Sequence, residues 1–153
     1  MDLPAARPPS LLGLSTYLLS QTGKTARARL AQRLADRGLK LWHMATLAAL
    51  ADFGPHVQRE LAARLAMDPS DVAKVVDELA AAGYVDRSRD PGDRRRVAVT
   101  LTGAGRATLA ELDTEARQVQ DDILAPLSLA ERAQIHVLLE KVYGGLRRTS
   151  DPA

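Results

Sequence analysis

Residues Tyr84–Leu101, YVDRSRDPGDRRRVAVTL, decide how this chain is read. Tyr84-Val85 opens a strand, Pro91-Gly92 supplies turn chemistry, and Val97, Val99 and Leu101 alternate on a return strand. The alternation predicts a hairpin with one face buried and the other wet. Its far end is basic: Arg87, Arg89, Arg94, Arg95 and Arg96 stand against Asp86, Asp90 and Asp93, a net charge of +2 over the hairpin. Three consecutive arginines at a turn repel one another, which points to an anionic partner ahead of a solvated surface turn. Directly upstream, Asp68–Ala82 reads as a capped helix. A short helix-to-helix link, such a helix and then a basic hairpin are the outline of a winged helix-turn-helix, in which one helix enters a DNA major groove and the hairpin reaches beside it.

Size and composition set bounds around that outline. The 153 residues fit one domain, or a small domain with helical extensions. A hydrophobic content of 46% is ample for a core, and 26% charged residues do not suggest a disordered chain. The net charge is only +2 although the pI is about 9.2, so local clustering of arginine says more than the global balance. With no cysteine, disulfides, Cys-ligated zinc and a thiol redox sensor are excluded. His43, His56 and His136 show no metal-ligand spacing, no apolar run approaches a membrane span, and Asp2 with nearby prolines reads poorly as a signal peptide. The expected compartment is cytoplasmic, with no cofactor and no metal.

Along the chain, Met1–Pro9 reads as a loose arm. Ser10 is placed to cap a long first helix carrying Leu11, Leu14 and Leu18, continuing through Leu30 and Leu34 to a glycine stop at Gly38, with a kink expected near Gly23. A second helix, Leu41–Asp52, is apolar nearly all round and so expected to be buried. A third, Gln58–Ala66, lacks a capping residue at Val57. The fourth has Asp68 as N-cap, Pro69 at the first helical position, Asp71 in the first turn, Val72, Val75, Val76 and Leu79 on one face, and Gly83 as terminator. Thr102 caps a fifth helix whose Leu109, Leu112, Ala116, Val119 and Ile123 make a heptad-like seam in want of a partner. Pro126 ends it, and Ser128 with Glu131 forms a capping box for a sixth helix bearing Ile135, Leu138, Leu139, Val142 and Leu146. The fold class expected is mainly α with a small β-hairpin wing: four helices, two strands, two helices.

That order, and Glu60–Arg106 (ELAARLAMDPSDVAKVVDELAAAGYVDRSRDPGDRRRVAVTLTGAGR), resemble the multiple-antibiotic-resistance regulator (MarR) family. The specific part is DPGDRR, then a strand, then Leu-Thr before Gly-x-Gly-Arg. The resemblance implies a winged helix-turn-helix over residues 41–102 and a helical dimerisation region over 1–40 and 103–153. It also implies a homodimer reading adjacent half-sites of a pseudo-palindromic double-stranded DNA, usually as a repressor, often released by a small aromatic molecule. Self-association has independent support, since the apolar faces of the first and last helices exceed what a lone winged domain covers.

With its valines turned inward, the fourth helix leaves Ser70, Asp71, Ala73, Lys74 and Asp77 outside. Its charge is unusual for the role: Lys74 stands against Asp68, Asp71, Asp77 and Glu78, a net −3. Asp71 either caps the helix or accepts from a cytosine amine, and Ser70 and Lys74, one turn apart, are placed for phosphate or base edges. Attraction to phosphate then falls to the wing, with Arg94 and Arg95 at the tip as first candidates, Arg87, Arg89 and Arg96 beside them, and Asp90 or Asp93 expected to hold a guanidinium plane. Arg96 has the alternative of lying over the wing's exposed face.

Trp42, His43 and Tyr17 are candidates for an effector site, Trp42 to stack on a planar ligand and His43 to bond its carboxylate or phenol. The competing reading is a core tryptophan beside a satisfied buried histidine. Catalysis has little support, because Gly103-Ala104-Gly105 opens a helix and lacks a third glycine, and no triad or metal set follows from spacing. The alternative function is a winged-helix protein–protein module whose acidic fourth helix binds a basic partner.

Overall fold

The computed structural model describes residues 6–150; most of the expected N-terminal arm lies outside them. Seven helices and three strands follow in the order α1 (Pro9–Leu12), α2 (Ser15–Ala35), α3 (Leu41–Phe53), β1 (His56–Val57), α4 (Gln58–Leu65), α5 (Pro69–Ala81), β2 (Val85–Asp90), β3 (Asp93–Leu101), α6 (Gly103–Ile123) and α7 (Leu129–Ser150). The expected first helix is two helices. Pro8 and Pro9 start α1, not Ser10, and the chain breaks at Gly13-Leu14 because Leu14 takes extended backbone (φ −99°, ψ 118°). Gly23 lies inside α2 and marks no break.

Helix ends account for much of the local order. Gly38 and Gly83 take positive φ, and in each case the following amide closes back on the helix, Leu39 N–H to Leu34 O and Tyr84 N–H to Leu79 O, both 2.9 Å. α4 ends in the same way, Met67 N–H to Ala62 O at 2.9 Å, but its left-handed residue is Ala66. At the other ends, Asp68 accepts from Ser70 N–H, Thr102 from Gly105 N–H, and Ser128 and Glu131 cap reciprocally.

One core joins Leu34 of α2, Leu47 and Leu50 of α3, Leu61 of α4, Val72, Val76 and Leu79 of α5, Val85 and Val99 of the sheet, and Leu112 of α6. Each such aliphatic side chain withdrawn from water contributes about 1.5–3 kcal/mol. The seam of α6 finds its partner in α2 of the same chain, where Arg33 reaches Glu115 (2.9 Å) and Arg37 reaches Glu115 (3.2 Å). The Arg33 and Arg37 hydrogen bonds hold the Glu115 carboxyl below the usual carboxylate range. Helix α3, expected to be covered all round, is buried on one face only: Leu47 and Leu50 are enclosed, whereas Trp42 is 42% exposed.

The sheet has three antiparallel strands in the order β1-β3-β2, with His56 opposite Val99 and Val85 opposite Leu101. β1, only two residues long, has no counterpart in the sequence reading. Val97 shares the inward face of Val99 yet is exposed, because the ribbon has by then left the core. Gly105 permits the join to α6: a Cβ there would stand 2.0 Å from the Tyr84 carbonyl oxygen. α7 carries no buried residue.

Candidate nucleic-acid interface

The helix-turn-helix is α4, the Ala66–Asp68 turn and α5. Apolar spacing fixes the roll of α5, with Val72, Val75, Val76 and Leu79 inward and Ser70, Asp71, Lys74, Asp77 and Glu78 outward. One ion pair, Asp77 with Arg87, offsets one charge of the net −3 counted from the sequence; the other acids keep theirs, with Asp68 and Glu78 held in place. Asp68 is engaged as the N-cap, Asp77 pairs with Arg87, and Glu78 accepts from His43 Nε2 at 3.0 Å. Among the described residues, only Asp71 of the four acids has no such partner, and it stands beside an equally unpaired Lys74. The Ser70 hydroxyl donates to Asp68 Oδ1 (2.7 Å), so its proton is already used. That bond, ahead of the Ser70 amide, lowers the Asp68 carboxyl below its ordinary range.

The hairpin sorts its five arginines into three kinds. Arg87 donates from Nε and Nη2 to Gln58 Oε1 (3.2 Å each) and pairs with Asp77. Arg96 pairs with Glu60 and so lies toward α4, not free over the sheet. Arg89 braces the tip from below, its Nη1 donating to the Arg94 carbonyl at 2.9 Å. Arg94 and Arg95 have no side-chain partner among the described residues, and both are exposed.

Strand register explains why this segment stands clear of the ladder, with Arg96 alone of its three arginines tied back, to Glu60. Arg89 pairs with Val97 but the next residue, Asp90, pairs with Asp93, so Arg94, Arg95 and Arg96 occupy an irregular bulge on β3 with no counterparts on β2. A bulge lifts its residues out of the ladder and re-aims their side chains. The carboxylates expected to hold a guanidinium do something else. Asp90 Oδ1 accepts the Gly92 amide (2.8 Å) and Asp93 Oδ1 accepts the Arg95 amide (3.0 Å), closing the turn through local backbone bonds.

A cleft adjoins α5, the candidate reader helix. Lys40, Trp42 and His43 face Met67, Asp71, Lys74, Val75 and Glu78 across a cleft of about 230 Å³. Nδ1 of the buried His43 accepts the Lys40 amide at 2.8 Å, which puts the ring proton on Nε2, donated to Glu78. The histidine is thus satisfied and buried, while Trp42 is not the core residue that the competing reading made it. Tyr17 sits half-buried on α2 and does not line the cleft. Gln58 and Glu60 belong to this interface although nothing in the sequence singles them out, because their partners lie 29 and 36 residues away and no local pattern marks them.

Comparison with known proteins agrees with this geometry. A profile described as the MarR family matches residues 37–96. The HTH-type transcriptional repressor NicR of Pseudomonas putida is 36% identical over 126 residues, covering 82% of this chain and 80% of NicR. A probable transcriptional regulator from Pseudomonas aeruginosa, of known crystal structure, has a TM-score of 0.71 and 36% identity over 86% of this chain and 98% of its own. BpsR of Bordetella bronchiseptica, whose DNA binding is regulated by 6-hydroxynicotinic acid, has a TM-score of 0.71 and 31% identity over 90% of this chain and 98% of its own. The arginine-tipped hairpin, the capped reader helix and these likenesses lead to one conclusion: the chain belongs to the MarR family of winged helix-turn-helix transcriptional regulators.

Proposed function

We propose that the protein is a homodimeric, sequence-specific repressor acting in the cytoplasm on a pseudo-palindromic double-stranded operator, and that a small aromatic ligand releases it. Residues 41–102 read DNA, while 1–40 and 103–153 join the subunits. The observation that carries the reading is the pair of guanidinium groups, Arg94 and Arg95, that have no side-chain partner among the described residues and stand on a bulge beside α5. Arg94 and Arg95 supply phosphate or minor-groove contacts, Lys74 a phosphate contact, and Ser70 and Asp71 face base edges. No catalytic step is assigned to any residue. The protein–protein alternative depends on the acidity of α5, which the Asp77–Arg87 ion pair within the chain lowers.

The ligand reading rests on the exposed Trp42 lining the 230 Å³ cleft, which is smaller than the roughly 300–1,000 Å³ of drug-sized pockets and suits a single ring. Lys40 and Lys74 line it together with Asp71 and Glu78, so a hydroxylated aromatic acid, the class that regulates BpsR, matches its chemistry with a carboxylate for the lysines and a hydroxyl for the acids. Such a ligand takes Lys74 away from phosphate and presses on the His43–Glu78 link to the reader helix.

The test is to select duplexes from a random library with the wild-type protein, then titrate benzoate- and nicotinate-class acids while following Trp42 fluorescence and DNA release. A palindromic consensus with quenching and release in parallel supports the proposal. Failure to enrich any duplex above nonspecific binding contradicts the repressor reading, and release that persists undiminished in Trp42→Ala contradicts the placement of the ligand.

A further inference from the structure

Two arginine straps tie the wing to the helix-turn-helix, and we propose that they set the angle at which wing tip and reader helix meet DNA, making Asp77 and Glu60 positioning residues for operator discrimination. The inference rests on the DNA-reading function proposed above. It reverses the simple electrostatic expectation, in which an acid on a DNA-facing helix only weakens binding.

The need for straps follows from how little else holds the wing. Of the hairpin's side chains, Val85 and Val99 are fully covered, while Asp86–Arg89 and Pro91–Val97 are exposed. Past Ala98, where the pairing with β1 stops, the wing is a two-stranded ribbon projecting from the core, and an isolated two-stranded ribbon is marginal in water. Its orientation therefore depends on polar contacts with α4 and α5. Arg87 makes three of these with one guanidinium, joining Gln58 at the start of α4 and Asp77 on α5 to a strand residue paired with the buried Val99. Arg96 attaches nearer the tip, from the bulge to Glu60 in the first turn of the same helix. One strap fixes the ribbon at its base and the other near its end, which together define an angle.

Chemistry separates these two arginines from their neighbours. Arg87 and Arg96 hold carboxylates, so their charge is spent within the subunit, whereas Arg94 and Arg95 have no side-chain partner among the described residues. Exposed ion pairs add little to global stability, so the straps act on geometry and leave the melting temperature near its original value. A wing held at one angle rewards duplexes whose groove spacing fits it, while a loose wing binds many duplexes about equally.

Asp77→Ala separates positioning from simple repulsion by the sign of its effect. With straps, the ratio of affinities for a duplex selected by the wild type and for random DNA falls about tenfold, the salt slope stays at the wild-type value, and Arg87→Gln combined with Asp77→Ala loses less than the sum of the two single variants. If Asp77 merely repels phosphate, the variant binds the selected duplex as tightly or more tightly with its discrimination intact, which overturns the proposal. A salt slope shallower by about one in Arg87→Gln also overturns it, because Arg87 would then be a phosphate ligand. Amide hydrogen exchange over Ser88–Arg95 gives a reading without DNA: Asp77→Ala speeds it about tenfold if the strap orders the wing, and unchanged exchange contradicts that. Should the wild type select no duplex, the repressor reading fails, and the exchange measurement still decides the straps.

Discussion

Ala66 occupies a left-handed backbone conformation (φ 51°, ψ 44°) in the turn between α4 and the reader helix, at a position where α2 and α5 each use glycine. A Cβ in that region costs about 1–2 kcal/mol, partly offset by the roughly 0.5–1 kcal/mol of chain entropy that glycine loses on folding. Ala66→Gly should therefore stabilise the protein slightly, by up to about 1 kcal/mol, seen as a higher urea midpoint with unchanged m-value. A lower midpoint would mean that the turn is not strained. Residues whose partners lie within three positions are legible in the sequence: Asp68, Thr102, Ser128 and Glu131 all cap where expected. Arg87 and Arg96 are legible as charges but not as straps, because Asp77, Gln58 and Glu60 become neighbours only after the chain folds. The same limit applies to Trp42, whose exposure depends on how α3 is rolled and not on its own identity.

Elements are legible where periodicity is long and obscure where it is short. α5 and α6 run close to their expected bounds because several buried residues set each face. The break before Ser15 leaves little trace, since Gly13 is only one residue in an apolar stretch, and the two residues of β1 carry no period at all. The cap of α5 gives the element a pH dependence. The Ser70 hydroxyl and amide lower the Asp68 carboxyl in the folded state, so the stabilisation is present above the ordinary carboxylate value and disappears as pH falls through the lowered one. Glu115, lowered by Arg33 and Arg37, and Glu131, lowered by Ser128, act in the same direction. Asp68→Ala should consequently lower the thermal midpoint at neutral pH and flatten its decline at acid pH relative to wild type. Parallel curves for the two proteins would show that the cap does not carry this dependence.

At the scale of the molecule, an extended apolar surface is left uncovered among the described residues. Leu138, Val142, Tyr143 and Leu146 of α7 are each more than half exposed, and Leu12, Leu14 and Leu18 near the N-terminus are about half exposed. Surface of this extent fits a second copy of the chain, as the proposed two half-sites require. Leu138→Glu should shift the mass measured by light scattering from dimer to monomer and weaken selected-duplex binding at least tenfold, since one wing then forfeits the other's effective concentration. A monomer that binds as well as the dimer would contradict the subunit assignment. On the proposed function the hold on DNA is a matter of charge, with the hairpin tip as the cationic grip and Asp77 beside it already paired with Arg87. Its most direct test is the salt dependence of binding to a selected duplex for wild type and Arg94→Ala, with helix content and dimer mass held as controls. The predicted result is much weaker binding and a log–log slope shallower by about one for each phosphate no longer neutralised; equal affinity and equal slope would contradict it.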